Sequence, residues 1–482
     1  MSKFTFDPYA SIGLTENPFG VHALSPDERG RRLLVGRNEE VLSVAQRLHK
    51  HGKITCLDGH VGVGKTSLVN VAAFECFQAY LKAETPQLII PSVVSFQLKK
   101  EAGVDQFCAE VFQGVARTLI QYRDYLKDFD TKGLNLPHLN AWLNSPIVQH
   151  FNSSGDLTAG LGVPGIASVA VRGGHSSSGQ VNQSVGFAQG GFEAVVKAWL
   201  NEIFAVQGNG GVVCIIDNIE LLETGVSARR TLEALRDKLF NVNGLRWVFC
   251  GANGVIHSLA ASPRLTAFLN APVIDVRNVH PSTIDALVKA RLQEFSTDPD
   301  KAEDELPISL DDIKYLYRLV NYNLRDLLGL ADEFCEFCMQ NGKPVRVKEK
   351  KQEKFERWLD KATTERYQAL SSRVSQNAWA VLDVAMSAMF KGTFGAADYS
   401  SFNQNSTIPF ERSTFGRWLR ELVRLGLLTK SLDDDQGEDD DGFNRDVFSV
   451  TAKGALVQYA RLKKRENYSV APAGEWMKRV HY

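Results

Sequence analysis

One short stretch, residues 58–67 with the sequence DGHVGVGKTS, constrains the fold more than any other part of the chain. It follows the apolar run ITCL and leads into SLVNVAAFECF, which has the pattern of a helix. Gly59, Gly64, Lys65 and Thr66 satisfy the G-x-x-x-x-G-K-[ST] pattern of a phosphate-binding loop placed between a strand and a helix. Glycines let backbone N–H groups turn toward phosphate oxygens, and the positive end of the following helix favours the same anion. The pattern therefore predicts a nucleotide-binding P-loop.

The sequence also supplies oxygen ligands for a metal ion. Lys65 is expected to reach the β- and γ-phosphates, and the hydroxyl of Thr66 is expected to hold Mg²⁺. A Mg²⁺ site also needs a carboxylate at the end of a neighbouring strand. The segment VVCIIDNIE supplies Asp217 after five apolar residues. ATP and Mg²⁺ are therefore the predicted cofactors, with Thr66 and Asp217 at the metal. The loop residues predicted to bind the nucleotide are Gly59, His60, Val61, Gly62, Val63, Gly64, Lys65, Thr66 and Ser67.

Length and charge limit what else the chain can be. It has 482 residues, which at about 150 residues per domain predicts roughly three domains. The formal net charge is −1, so a surface for nucleic acid would have to be local rather than spread over the whole protein. The N-terminal segment lacks the basic and apolar regions of a signal peptide, and no apolar run is long enough to cross a bilayer. We expect a cytosolic, cytoplasmic protein.

The first half of the chain alternates between strand-like and helical segments. After an irregular arm at residues 1–35 and an amphipathic helix at 39–50, apolar and β-branched runs are separated by helical patterns. Such runs predict a parallel sheet with both faces covered by helices. A Gly- and Ser-rich stretch at residues 152–191 interrupts the pattern and is either a flexible linker or an inserted β-hairpin. The strand-like runs lie at residues 87–98, 210–223 and 244–254.

The second half is predicted to be mainly helical. Three helical patterns indicate a small all-α domain, followed by a charged helix that bridges two domains. The C-terminal part then has the order helix, helix, strand, loop, strand, which is the order of a winged helix-turn-helix. The three helical patterns span residues 283–295, 309–320 and 324–339. The predicted domains are residues 1–278 (arm and P-loop α/β domain), 279–342 (all-α domain), 343–370 (linker helix) and 371–482 (winged helix-turn-helix domain).

Several segments resemble AAA+ ATPases, in particular their initiator and loader branch, similar to origin-recognition proteins, and the related STAND signalling ATPases. LVGRNEEV before the P-loop is similar to the box whose Gly36-Arg37 region lies against the adenine in that family. WVFCGANG resembles the sensor 1 strand with Asn253, and NYNLRDLLGLADEF resembles the sensor 2 helix with Arg325. The resemblance covers about residues 30–340. It implies an α/β P-loop NTPase fold whose α-helical lid covers an ATP site, with Asn253 positioning water and Arg325 reading the γ-phosphate.

The residues next to Asp217 raise the question of hydrolysis. In the related ATPases a glutamate normally follows this aspartate and polarises the attacking water, whereas this chain has Asn218 there and Glu220 two residues further on. An amide can orient water but cannot accept its proton. Either Glu220 serves as the base, or turnover is slow and the protein holds ATP for a long time.

Members of the family assemble in rings or helical arcs, in which an arginine of one subunit completes the site of the next. The resemblance places that arginine finger at Arg264, in ASPRLTAFLNAPVIDV, and Arg229 and Arg230 are the alternatives. Self-association is therefore expected.

An arginine-rich helix is predicted near the C-terminus, in TIPFERSTFGRWLRELVRLGLLTKS. Such a cationic helix could enter the major groove of duplex DNA. The following wing, SLDDDQGEDDDGF, carries seven acidic residues that would repel phosphates. The module therefore contacts DNA through the helix alone, or it is a protein-contact module. The candidate DNA-binding residues are Arg412, Arg417, Arg420 and Arg424, and the predicted buried side is Phe415, Leu419, Leu422 and Val423.

Two functions follow from these expectations. The first is an ATP-driven, DNA-associated AAA+ assembly of the sort used in replication loading, transposition targeting or antiviral defence. The second is a STAND-like switch whose ATP-bound form oligomerises and recruits a separate effector protein, with little hydrolysis.

Overall fold

The computed structural model describes residues 8–98, 103–126, 189–206, 210–222, 225–252, 254–260, 263–340, 348–387, 389–390, 392–406, 408–409, 411–432 and 446–465. The stretch predicted to be a linker or hairpin lies outside the described residues except for its last three positions, and the acidic wing tip lies outside them entirely. Among the helices that are described, none is both long and apolar enough to span a membrane.

The N-terminal half contains a parallel sheet. Its order is β2-β4-β5-β1-β6, with β3 also paired to β4, and every pairing is parallel. Because all strands run the same way, the ends of β1, β4 and β5 that carry the predicted motifs lie at one edge of the sheet. The strands are β1 (Thr55–Asp58), β2 (Ile89–Pro91), β3 (Phe96–Gln97), β4 (Gly211–Asp217), β5 (Leu245–Cys250) and β6 (Ile274–Asp275).

Both faces of this sheet are buried, as the apolar runs predict. Alternate strand residues enter two separate cores, because side chains of a strand point to opposite faces in turn. Cys56, Ile90, Cys214 and Phe249 belong to the core that contains residues of the helices Val104–Gln121 and Gln189–Val206. Leu57, Ile89, Val213 and Val248 belong to the core that contains residues of the helices Asn38–Leu48 and Lys65–Leu81. The predicted α/β fold with a parallel sheet is confirmed.

Two local predictions in this half are wrong in detail. The run at residues 87–98 forms two short strands rather than one, and the first of them ends at Pro91, which has no N–H to donate. The arm at residues 1–35 is not wholly irregular, because it contains a 3₁₀ helix, Tyr9–Ile12, and an α-helix, Glu28–Leu33. The α-helix begins where Asp27 accepts a hydrogen bond from the backbone of Gly30 at 2.7 Å.

A helical domain follows the sheet, and we call it the lid. The three predicted helices are present, and an additional short helix, Pro299–Glu305, was missed because its sequence, PDKAEDE, has almost no apolar residue. The lid core also takes in Tyr9 and Phe19 of the arm, Phe355 of the bridging helix and Tyr459 near the C-terminus. The arm is thus packed into the lid rather than against the sheet alone. The helices of the lid are Ile284–Phe295, Pro299–Glu305, Leu310–Leu319 and Leu324–Gln340, and the bridging helix is Lys348–Ser371.

The C-terminal part has its own core around Phe394, Phe402, Phe415 and Trp418. Its three strands form an antiparallel sheet in the order β7-β9-β8. The short β7 and the helix beside it were not predicted as separate elements, and the interpretation as a winged helix-turn-helix stays a prediction. The elements are the helix Gln376–Ala385, β7 (Thr393–Gly395), the helices Tyr399–Asn405 and Arg412–Arg424, β8 (Leu428–Leu432), β9 (Asp446–Val450) and the helix Ala452–Arg465.

Candidate functional site

The P-loop connects the end of β1 to the helix Lys65–Leu81. Gly62 and Gly64 adopt φ angles of 85° and 99°, which residues with a Cβ atom rarely do. Gly64 directly precedes the helix, so the free N–H groups of the first turn face the space beside the loop. The Lys65 ammonium donates hydrogen bonds to the carbonyls of Gly59 at 2.8 Å and His60 at 3.1 Å, and it therefore lies inside the curve of the loop.

The two predicted metal ligands meet at the edge of the sheet. The hydroxyl of Thr66 donates a hydrogen bond to Oδ2 of Asp217 at 2.6 Å. The other carboxylate oxygen of Asp217 accepts a hydrogen bond from the backbone of Asn218 at 2.9 Å. A hydroxyl and a carboxylate are oxygen donors of the kind that Mg²⁺ takes beside phosphates. The side chains that the structure brings together therefore fit a magnesium ion.

A cleft of about 850 Å³, the P-loop cleft, opens between the sheet and the lid. Polar lining comes from residues 61–67, Asp217, Asn218 and Arg325. Apolar lining comes from Leu33, Leu34, Val35, Val279, Leu287 and Leu328. The polar groups suit a chain of phosphates and the apolar groups suit a flat base, so the lining of the cleft fits a nucleoside triphosphate.

Arg37 is buried and has contacts that the sequence did not reveal. Its guanidinium donates to the carbonyl of Val63 in the P-loop at 3.0 Å and to the carbonyl of Arg277 at 2.8 Å. It also pairs with Glu40 at 3.1 Å. Arg37 lines the P-loop cleft, whereas Gly36 lies against Thr283 at the start of the lid. Arg37 thus joins the P-loop to the strand beside it, and its contact with adenine stays a prediction.

Arg325 stands at the beginning of the lid helix Leu324–Gln340. Its side chain is exposed and lines the P-loop cleft, and it makes no hydrogen bond or ion pair with any other residue described. It also lines a neighbouring cleft, together with His60 of the P-loop and Ser449 of the C-terminal sheet. Its contact with the terminal phosphate of a nucleotide stays a prediction.

Asn218 and Glu220, two of the residues proposed to act on water, lie in different surroundings. Asn218 lines the P-loop cleft and has a φ of 55°, in the left-handed region that asparagine tolerates better than most residues. Glu220 does not line the cleft, and its Oε2 is buried without a hydrogen-bond partner. Burial raises the pKa of Glu220, and the nearby Lys65 ammonium offsets part of this increase. Asn253 lies outside the described residues.

The predicted arginine finger lies away from the P-loop cleft of its own chain. The side chain of Arg264 is 73% exposed, and its guanidinium lies 3.6 Å from the carboxylate of Glu233. Arg229 lies 3.9 Å from the same carboxylate. Arg264, the predicted arginine finger, and Arg229, one of the alternatives, therefore share Glu233 as an acidic partner.

The arginines of the C-terminal helix form an outward stripe. Arg417, Arg420 and Arg424 are exposed, and their spacing of three and four residues places them on one side of the helix. The opposite side is buried, as predicted, through Phe415, Leu419 and Leu422, whereas Val423 is only half-buried. Arg412 is also exposed.

Two contributors to the P-loop cleft were missed by the sequence analysis. Arg291 lies in the lid helix Ile284–Phe295, and residues 20–24 belong to the arm. A signal for Arg291 was present, because it stands four residues after Leu287 on the face that helical spacing predicts to be buried. The arm carried no such signal, since it has no regular period.

Comparison with known proteins gives distant matches among solved structures. No family model matches the chain, and no curated protein sequence matches it. Among solved structures, the ORC1 protein of Aeropyrum pernix in complex with DNA is 12% identical with a TM-score of 0.39, over 90% of this chain and 94% of that one. The ORC2 protein of Aeropyrum pernix, in ADPNP and ADP complexes, is 11% identical with a TM-score of 0.42, over 93% of this chain and 99% of that one. Cdc6p of Pyrobaculum aerophilum is 12% identical with a TM-score of 0.36, over 94% of this chain and 99% of that one.

The sheet, the P-loop at its edge and the helical lid over that edge agree with the resemblance drawn from the sequence. The fold is an α/β P-loop fold with a parallel sheet and a helical lid.

Proposed function

We propose that this protein is an ATPase of AAA+ type that binds ATP with Mg²⁺ in the P-loop cleft. The observation that carries the proposal is the hydrogen bond between Thr66 and Asp217, two residues 151 positions apart, at the loop whose curve holds the Lys65 ammonium. In this arrangement Thr66 and Asp217 would hold the metal, Lys65 would bind the β- and γ-phosphates, and Arg325 would read the γ-phosphate from the lid. Bound Mg²⁺ would neutralise charge on the phosphates.

The proposal is tested by measuring the affinity of the full chain for ATP and ADP with and without Mg²⁺. We expect ATP to bind, Mg²⁺ to strengthen the binding, and the substitution Asp217→Asn to remove most of the Mg²⁺ effect while leaving binding without Mg²⁺ nearly unchanged. The matched control is Asp275→Asn at the end of β6, an exposed aspartate that does not line the cleft. If Asp217→Asn responds to Mg²⁺ as the wild type does, the metal site is elsewhere.

A second candidate function is supported by Asn218. The residue beside Asp217 in the cleft is an amide, and the next carboxyl along the chain, that of Glu220, has a buried Oε2 and does not line the cleft. This favours slow hydrolysis and a protein that acts as an ATP-dependent switch, with a separate effector chain. Rapid phosphate release by the full chain with ATP would contradict the switch, whereas tight ATP binding with release slower than about one event per minute would support it.

We further propose that the ATP-bound form self-associates and acts on duplex DNA. Support for DNA contact comes from the exposed stripe of Arg417, Arg420 and Arg424, and support for self-association comes from the exposed Arg264. The test is the mass of the full chain in solution with an ATP analogue, with and without duplex DNA, measured alongside phosphate release. An increase in mass with the analogue and faster release with DNA would support an assembly on DNA. An unchanged mass with the analogue in both conditions would contradict it.

A further inference from the structure

Arg291 is a buried cation in the lining of the P-loop cleft. Its exposed fraction is 7%, and burial lowers its pKa to about 10, so it remains charged at neutral pH. It forms no ion pair with a carboxylate among the residues that are described. Instead, its guanidinium donates to the carbonyls of Pro18 at 2.8 Å and Gly20 at 3.2 Å, and its Nε has no partner. Burying a charge without a counter-charge is costly, so a functional reason for Arg291 is expected.

Of the two carbonyls that Arg291 binds, that of Gly20 begins a short arm segment, residues 20–24, which we call the base wall, and that of Pro18 lies two residues before it. At the other end, the backbone N–H of Leu24 donates to the hydroxyl of Ser67 at 3.0 Å. The amide of Asn70 donates to the carbonyl of Leu24 at 2.8 Å. The base wall is therefore attached to the lid at its first residue and to the P-loop helix at its last.

Between these two attachments the backbone is available to a ligand. Every residue of the base wall lines the P-loop cleft, and Val21, His22 and Ala23 are exposed. Their backbone N–H and C=O groups form no hydrogen bond within the described part of the chain. Backbone groups at fixed positions beside an apolar slot are the usual means of recognising the polar edge of a base.

We propose that Arg291 is a positioning residue for the nucleotide base: it holds the base wall in place, so that the preference of the cleft for adenine depends on it. This inference rests on the proposed nucleotide site, but it concerns the lining that comes from the arm and from the helix Ile284–Phe295, not the metal ligands or Arg325. Base preference and phosphate preference are therefore separable.

The test measures the affinities of the full chain for ATP, GTP, CTP and ADP by calorimetry. ATP compared with GTP and CTP gives the base preference, and ATP compared with ADP gives the phosphate preference. We expect the wild type to prefer ATP, and Arg291→Met to reduce the preference for ATP over GTP and CTP by about tenfold or more, because hydrogen bonds from a charged donor are removed. The preference for ATP over ADP should remain, because Arg325 and the metal ligands are intact. Arg291→Lys should restore part of the base preference, since an ammonium can reach one of the two carbonyls.

Two further variants make the outcome clear. Arg32→Gln breaks another contact between arm and lid, the pair with Glu294 at 2.9 Å, on an exposed surface outside the cleft, and should keep the base preference. Asn70→Ala releases the other end of the base wall and should reduce the base preference, which decides the matter if Arg291→Met does not fold. A wild type that binds no nucleotide would overturn the proposed function together with this inference. Nucleotide binding with no base preference in the wild type, or an unchanged preference in Arg291→Met and Asn70→Ala, would overturn this inference alone.

Discussion

The side-chain amide of Asn323 donates a hydrogen bond to the carbonyl oxygen of Val61 at 2.9 Å, so that the lid contacts the P-loop directly. The Oδ1 of the same asparagine accepts a hydrogen bond from the backbone of Asp326 at 3.2 Å, and thereby caps the helix that carries Arg325. A Cβ atom on Gly62 would come within 2.8 Å of both Asn323 and Arg325. The close approach of lid and P-loop therefore requires glycine at this position.

The turn that contains Asn323 also contacts the C-terminal part. Asn321 and Tyr322 adopt φ angles of 53° and 61°, although neither is glycine. Such a conformation costs about 1–3 kcal/mol per residue and persists only where the surroundings hold it. Asn321 donates a hydrogen bond to the carbonyl of Val450, at the end of β9, at 3.1 Å. One turn thus connects the P-loop with the C-terminal sheet.

Removing the contact between Asn323 and the P-loop should weaken the response to the γ-phosphate. Asn323→Ser keeps an acceptor for the helix cap but is too short to reach Val61, so we expect near-normal stability and a preference for ATP over ADP reduced about two- to tenfold. Asn323→Ala removes the cap as well and should lower the free energy of unfolding by about 1 kcal/mol. Calorimetry with ATP and ADP, together with thermal unfolding, checks both. An unchanged ATP preference in both variants would show that the contact has no part in nucleotide sensing.

Replacing Lys65 should remove ATP binding without unfolding the protein. Within the described part of the chain, the ammonium binds only carbonyls of its own loop, so Lys65→Ala should leave the thermal midpoint nearly unchanged. ATP binding should weaken by about a hundredfold, because charge-assisted hydrogen bonds to phosphate are removed. The matched control is Lys53→Ala, an exposed lysine before β1 that donates to the carbonyl of Ala267 at 2.6 Å and should bind ATP normally. Equal affinities of the two variants for ATP would contradict the assignment of the site.

If the arginine stripe binds DNA, reversing its charge should weaken binding and flatten the dependence on salt. For Arg417→Glu with Arg420→Glu we expect lower affinity and a log–log salt slope reduced by about one for each phosphate that the variant no longer binds. Lys361→Glu with Arg357→Glu on the bridging helix makes the same change in charge and should keep the slope. Titration of duplex DNA at several salt concentrations measures both. DNA binding that is unaffected while a protein interaction disappears would indicate a protein-contact module.

The sequence predicts the parts of the site that are encoded locally. The P-loop and the strand ending in Asp217 are short patterns in which neighbouring residues determine the conformation, and the structure brings Thr66 and Asp217 together as the patterns require. The lid arginine, Arg325, could be located from its resemblance to a known motif.

The parts that could not be predicted depend on contacts between residues distant in the chain. Arg291 binds carbonyls that lie 273 and 271 positions away, and Asn323 binds one that lies 262 positions away. No local pattern encodes a hydrogen bond to a backbone carbonyl, because every residue carries the same acceptor. The base wall and the turn that contains Asn323 could therefore be recognised only in the folded structure.

Substitutions at Asn218 and Glu220 should show which of these two residues determines the rate of hydrolysis. Asn218→Glu restores a proton acceptor in the cleft and should speed phosphate release, although glutamate at a φ of 55° costs about 1 kcal/mol. Asn218→Asp is the matched variant, because aspartate tolerates this conformation better. If Glu220 is the working base instead, Glu220→Gln should stop release while both Asn218 variants change it little.

The pH dependence of phosphate release gives an independent test of Glu220. Burial raises the pKa of this carboxyl, and a general base acts only when it is deprotonated. If Glu220 is the base, release should fall as the pH falls through its raised pKa and become constant above it, and Glu220→Gln should lose this dependence with the activity. If Asn218 merely orients the water, slow release should show no such step. If the wild type releases phosphate quickly and Glu220→Gln does so too at every pH, both accounts are excluded. The base must then be a residue other than Asn218 and Glu220.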